Sequence, residues 1–156
     1  MKLLNALSAL FLFLPLASSA SEVVKVYDGD TIIVRSKGSD VRVRFACVDA
    51  PEMAQQPYGQ LSRDHLAKLL PVGTEVEVYV KTKDQYGRVV GEVVKDGESI
   101  NLQMVQDGMA FVWSKFASQC GAEKMFAAER EARGAKRGVV WGASLQKPWE
   151  YRYDNR

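Results

Sequence analysis

Thr31-Ile32-Ile33-Val34-Arg35, Ser36-Lys37-Gly38-Ser39-Asp40 and Val41-Arg42-Val43-Arg44-Phe45-Ala46-Cys47 follow one another without a break. The first stretch is β-branched, the second is a turn of small and polar residues, and the third alternates apolar with polar or small ones. That order is a pair of strands joined by a tight connection. Working outward, Val23 to Tyr27 is another β-type run, and it ends on the turn pair Asp28-Gly29. Glu75 to Lys81 alternates again with Val76, Val78 and Val80 on one face. Arg88 to Lys95 is a further strand, between Tyr86-Gly87 and Asp96-Gly97.

Helical spacing interrupts these strands. Leu61, Leu66, Leu69 and Leu70 mark a helix over Gln60 to Leu70, ended by Pro71-Val72-Gly73. Ile100, Met104 and Val105 mark a short one, with Ser99 as N-cap and Asp107-Gly108 as its end. Ala122 to Lys136 is the last, its basic C-terminal turn facing the negative end of the helix dipole and Gly138 stopping it. The prediction is an α+β, mainly β domain, a five-stranded Greek-key barrel of the OB type with three helices. An open α+β sheet is the competing architecture. The domain spans 21–143, and Pro148-Trp149-Glu150-Tyr151 falls in an ordered or semi-ordered extension over 144–156.

The first residues read as an export signal. Lys2 supplies the charge, Leu3 to Ala17 is almost wholly apolar, and Ser18-Ser19-Ala20 suits cleavage after Ala20. An uncleaved anchor is the rival, disfavoured because about 15 apolar residues fall short of the roughly 20 needed to span a bilayer. Removing the first 20 of 156 residues leaves 136, enough for one cored domain. The expectation is a periplasmic or secreted monomer with no stable membrane association after signal removal. Lys+Arg and Asp+Glu nearly balance at 21 and 19, so bulk charge does not mark a general nucleic-acid or membrane binder. Phosphate recognition must then come from a local cluster. Cys47 and Cys120 either bridge, as an oxidising compartment permits, or stay as two small core residues; the bridge is favoured.

Chemistry is concentrated in Asp28-Gly29-Asp30-Thr31, Arg44, Val48-Asp49-Ala50-Pro51-Glu52 and Asp84-Gln85-Tyr86-Gly87-Arg88. Closing the hairpin near Lys37 to Asp40 sets Asp30 opposite position 47 or 48, close to Asp49. Two carboxylates so close repel unless a cation lies between them, and oxygen-only ligands favour Ca²⁺ or Mg²⁺ over zinc. Pro51 biases Ala50 toward an extended backbone, which can turn the Ala50 carbonyl outward as a neutral ligand. Glu52 is placed to take a proton from attacking water or to organise that water. Arg44 and Arg88 can each give paired N–H bonds to a phosphodiester transition state while staying charged. His65, inside the first helix, is structural or superficial. Tyr86, Phe111, Trp113 and Phe116 can stack on bases or fill a core; Trp113 is the candidate contact.

At these residues the chain resembles the staphylococcal nuclease (thermonuclease) family. The similarity runs from about Val23 to Trp141 and adds Asn101, Gly108-Met109-Ala110 and Arg137-Gly138-Val139-Val140-Trp141 to the runs above. The resemblance implies an OB-type barrel with three helices and Ca²⁺-dependent cleavage of DNA and RNA that leaves 3′-phosphates. It implies Asp30, Asp49 and the Ala50 carbonyl as calcium ligands. Arg44, Glu52 and Arg88 match the family's catalytic trio, and Tyr86 matches a tyrosine that contacts phosphate. Ala50 replaces a threonine, Gln85 stands where a phosphate-contacting lysine can occur, and the family's stacking tyrosine has no clean match in Phe111-Val112-Trp113-Ser114. The alternative class is a non-catalytic OB-type module that binds oligonucleotides or protein. Loss of chemistry should remove acids or arginines first, and all five side chains are present.

Overall fold

A computed structural model describes residues 20–142 and 144–155. The proposed export signal therefore lies outside the described residues, apart from Ala20. β1 (Ser21–Val26), β2 (Thr31–Ser36) and β3 (Ser39–Phe45) form an antiparallel meander. After β4 (Val48–Asp49) and α1 (Tyr58–Leu69), β5 (Glu75–Lys83) pairs with β1 and with β6 (Val89–Lys95). A parallel pairing of β6 with β3, Val43 opposite Val89 and Arg44 opposite Val90, closes the ring. Five strands in the cyclic order β3-β2-β1-β5-β6 make the barrel, as the alternating patterns predict. Val23, Ile32, Val34, Val43, Phe45 and Val93 fill its interior.

β7 (Glu98–Ser99) folds back antiparallel on the end of β6 and leads into α2 (Ile100–Gln106), where the Ser99 hydroxyl caps the Leu102 N–H. β8 (Phe111–Val112) pairs with β4, and α3 (Ala122–Gly134) packs on α2. Buried Asn101 pins this layer to the barrel. Its amide donates to the carbonyls of Ala46 and Gly91, and its oxygen accepts the Val93 N–H. Among the described residues the strands are joined by four α-helices rather than three. The fourth, α4 (Pro148–Asp154), lies in the predicted extension.

Two local expectations need correction. The β2–β3 turn is only Lys37-Gly38, both residues at positive φ (50° and 79°), with Ser36 opposite Ser39. That two-residue type I′ geometry moves the register: Thr31 faces Arg44, and Asp30 lies opposite Phe45 rather than position 47 or 48. In β5 the register slips between Val80 and Thr82, so Val80 is exposed instead of sharing the inner face with Val76.

Cys47 and Cys120 form a disulfide, with Cα atoms 6.2 Å apart. It ties the loop before β4 to the short 3₁₀ turn Ala117–Cys120 that precedes α3. Cys47 has φ +65°, a left-handed conformation unfavourable for a side chain, and the bridge holds it there. Closing a loop of 73 residues is worth about 4 kcal/mol in chain entropy.

Candidate active site

The site begins with two close backbone approaches. In the β1–β2 turn the Asp30 N–H bonds to the Asp28 carboxylate at 3.0 Å, an Asx turn. A Cβ on Gly29 would stand 1.9 Å from Ser62 Oγ and 2.7 Å from the Ala50 Cβ. Only glycine lets this turn press against α1 and the β4 exit. Gly59 plays the same part on the other side, since a Cβ there would stand 2.1 Å from the Glu52 carbonyl oxygen. The two glycines draw the Asp30 turn and the Glu52 segment onto one helix.

Asp30 and Asp49 do converge, although the hairpin register is not what brings them together. After β3 the chain reverses at Cys47 and returns as β4, where the Ala50 N–H donates to Asp30 Oδ2 at 2.5 Å. Between the acids lies Arg44. Its Nη1 is 2.9 Å from Asp30 Oδ2, its Nη2 is 2.7 Å from Asp49 Oδ1, and Nη1 also donates to the Val48 carbonyl. Arg44 is only 8 % exposed, because β4 brings the Val48 carbonyl and Asp49 onto its guanidinium. Buried ions are tolerable only when paired and fully hydrogen-bonded, and this trio meets that condition.

Burial still dominates the carboxylates. It pushes Asp30 up from 3.8 to about 7, against the pull of Arg44, and the neighbouring Asp28 charge adds to the rise. Burial raises Asp49 as well, opposed by hydrogen bonds from Arg152 and by the charge of Arg44.

Glu52 lies on the loop after β4. Its main-chain N–H donates to Gln55 Oε1, and its carboxylate receives Arg152 Nη1 at 2.5 Å. Arg152 comes from α4, 100 residues further along the chain, and also grips Asp49 in a fork: Nη2 to Oδ2 at 2.7 Å and Nη1 to Oδ1 at 3.0 Å. Partial burial works against its charge, but these bonds outweigh that and hold the guanidinium protonated more firmly than usual. Its guanidinium carbon lies 5.6 Å from the ring centroid of Trp113, which also meets Phe116 edge to face. The sequence reading misses Arg152 entirely. The signal available was a Pro-initiated, aromatic-rich helical heptapeptide, and nothing local in it points to Asp49.

Arg88 and Tyr86 are placed differently. Asp84 accepts the N–H groups of Tyr86 and Arg88 on Oδ1, while its Oδ2 receives Arg88 Nε at 2.6 Å. Partial burial would raise Asp84, yet Arg88 and the two N–H groups prevail and hold it below the usual range. Arg88 directly precedes Val89, the partner of Val43, so its backbone runs beside the strand carrying Arg44. Among the described residues no hydrogen bond or ion pair joins Arg88 or Tyr86 to Asp30, Asp49 or Glu52. His65 lies elsewhere, its Nε2 2.7 Å from Asp107.

The acid cluster suits a hard cation. Asp30, Asp49 and Glu52 bring three carboxylates against two guanidinium groups, so negative charge is in excess where burial most disfavours it. Every donor is oxygen, as a hard divalent cation requires. Among the described residues no three His, Cys, Asp or Glu side chains form a ready cage. Main-chain carbonyls and water would have to complete the coordination.

Residues 42–142 match the family model described as staphylococcal nuclease homologue. The chain belongs to the staphylococcal nuclease family. It is accordingly a nuclease-class hydrolase. A micrococcal nuclease of Shigella flexneri is 37% identical over 145 residues, covering 87% of this chain and 82% of its own. An Escherichia coli protein named an uncharacterized endonuclease is 38% identical over 132 residues, 84% of this chain and 83% of its own. A probable staphylococcal-like nuclease of Oryza sativa subsp. japonica is 37% identical over 116 residues, 74% of this chain but only 33% of its own. The family match spans the β3–β6 frame, Arg44, Asp49, Glu52 and the Asp84–Arg88 loop. It stops before α4, so Arg152 lies outside it.

Proposed function

We propose that this member of the staphylococcal nuclease family is an exported, Ca²⁺-dependent, monomeric nuclease. It hydrolyses phosphodiester bonds of DNA and RNA with little sequence specificity and leaves 3′-phosphate ends. The observation that carries this reading is the buried Asp30–Arg44–Asp49 trio with Glu52 tied to Asp49 through Arg152. Two buried carboxylates with raised affinity for protons are costly in a domain that gains nothing from them. A hard cation and a phosphate diester give both charges a use.

Asp30, Asp49 and the Ala50 carbonyl would hold the ion, which when bound supplies positive charge to a phosphate oxygen. Glu52, about a third exposed, takes a proton from a water approaching phosphorus or holds that water in line. Arg44 would turn part of its guanidinium from the acids to the diester, and Arg88 would swing to it from Asp84. Their forks offset charge that gathers on the non-bridging oxygens. The new P–O bond from water forms as the P–O5′ bond breaks, Glu52 takes up the water's proton, and the 5′ oxygen takes its own from solvent. The Cys47–Cys120 bridge and the apolar, small-residue-bounded N-terminal run support export.

Plasmid and single-stranded RNA incubated with Ca²⁺, and again with a chelator, test the reading. Both should be degraded only with Ca²⁺, and end-labelling should find 3′-phosphates. Intact nucleic acid from folded, calcium-loaded protein would leave the oligonucleotide-binding module as the better description. Mass spectrometry of the mature N-terminus checks cleavage after Ala20, and light scattering checks the monomer.

A further inference from the structure

Arg152 is not a loose tail residue that happens to touch the acids. Leu145 and Pro148 are buried, and Trp149 meets Phe111 edge to face at 6.2 Å. Phe111 is the β8 residue opposite Asp49, so α4 leans on the strand pair that carries the metal-ligand candidate. Gln55 sets the register: its Nε2 donates to the Gln146 carbonyl at 2.8 Å, while its Oε1 receives the Glu52 N–H at 2.9 Å. One buried side chain thus spaces the approach to α4 against the backbone of Glu52.

The contacts on the acids are unequal. Arg44 reaches Asp49 through Oδ1 alone, and Asp49 Oδ2 is held by Arg152. Among the described residues, Arg152 is also the one side-chain partner of the Glu52 carboxylate. A cation entering at Asp49 meets Arg152 at Oδ2, whereas the bond to Glu52 can persist through Nη1.

We propose that Arg152 is a positioning residue of this site, a built-in cation that holds Glu52 beside Asp49 and that a divalent ion displaces from Asp49 Oδ2. The proposal rests on the hydrolase reading above and adds a residue beyond the matched family segment.

Calorimetric Ca²⁺ titration and steady-state cleavage of the full chain, with Arg152→Ala and Arg152→Lys, test it. Without the competing guanidinium, Arg152→Ala should bind Ca²⁺ about tenfold tighter, as expected for removing a like charge near the ion. At saturating Ca²⁺ its kcat should fall roughly tenfold with little change in KM for nucleic acid, the size typical of a lost outer-shell contact. Arg152→Lys, which keeps the charge without the fork, should lie between wild type and Arg152→Ala in both readouts. Circular dichroism establishes folding, and if Arg152→Ala is unfolded the lysine variant carries the test. Unchanged or weaker Ca²⁺ binding in a folded variant overturns the displacement, and unchanged kcat at saturation overturns the positioning. Should wild type bind Ca²⁺ but cleave nothing, the affinity shift still decides the competition, and the hydrolase reading fails separately.

Discussion

The molecule holds two Asp–Arg arrangements that share their chemistry and differ in their surroundings. In the Asp30–Arg44–Asp49 trio, every partner is brought by a different segment, the acids are nearly sealed from water, and burial drives both carboxyls up. In the Asp84–Arg88 loop, all partners lie within five residues, and main-chain N–H groups with Arg88 hold the carboxyl down. The first is an electrostatic liability that only the whole fold can sustain. The second is a self-contained turn. The former keeps its charges buried and mutually paired, and the latter holds its guanidinium on its own turn.

The most damaging way to break this contrast is Arg44→Ala. It leaves buried Asp30 without its ion-pair partner and Asp49 with Arg152 alone, so unfolding in denaturant should show a loss of about 3–5 kcal/mol alongside abolished cleavage. Glu52→Gln separates chemistry from stability: cleavage should fall roughly 10²–10³-fold, as for loss of a proton acceptor, with the denaturant midpoint little moved. Arg88→Ala should also depress cleavage while costing at most about 1 kcal/mol, because its pair with Asp84 is partly exposed. An Arg88→Ala loss as large as that of Arg44→Ala would erase the distinction between the two regions.

pH gives a subtler contrast, since the two carboxyls have opposite signs. Asp30 binds its proton more tightly folded, about 7 against 3.8, so its contribution to the metal-free protein grows as pH falls from about 7 toward 4 and then levels off. Asp84 is depressed, so its contribution is present above 3.8 and lost as pH falls below that. Denaturant melts with chelator present should therefore rise in midpoint from pH 7 to 5, and Asp30→Asn should flatten that rise. The smallest effect belongs to Asp84→Asn, which should leave the pH 5–7 slope intact. A slope unchanged by Asp30→Asn would show that burial is not what distinguishes the trio.

Much of the fold follows from short-range patterns. Alternation at Val41–Phe45, the Ser99 cap and the Asp96-Gly97 turn act over a few residues, and the structure has the corresponding strands and helix. The candidate acids are legible for the same reason, as each sits at a turn or beside a strand end. Register was less so: a two-residue rather than a five-residue turn at Lys37-Gly38 shifts every partner, and sequence composition allows both.

By itself the sequence determined the barrel class, the family, the candidate acids and arginines, and the favoured cysteine pairing, because periodicity, turn chemistry and motif order are properties of neighbouring residues. Only the tertiary structure decided that Arg44 is buried between Asp30 and Asp49, that Arg88 stays with Asp84, and that Arg152 closes on Asp49 and Glu52. Those outcomes depend on which charges lose water together. Asp49 and Arg152 stand 103 residues apart, and no local pattern carries the desolvation that joins them.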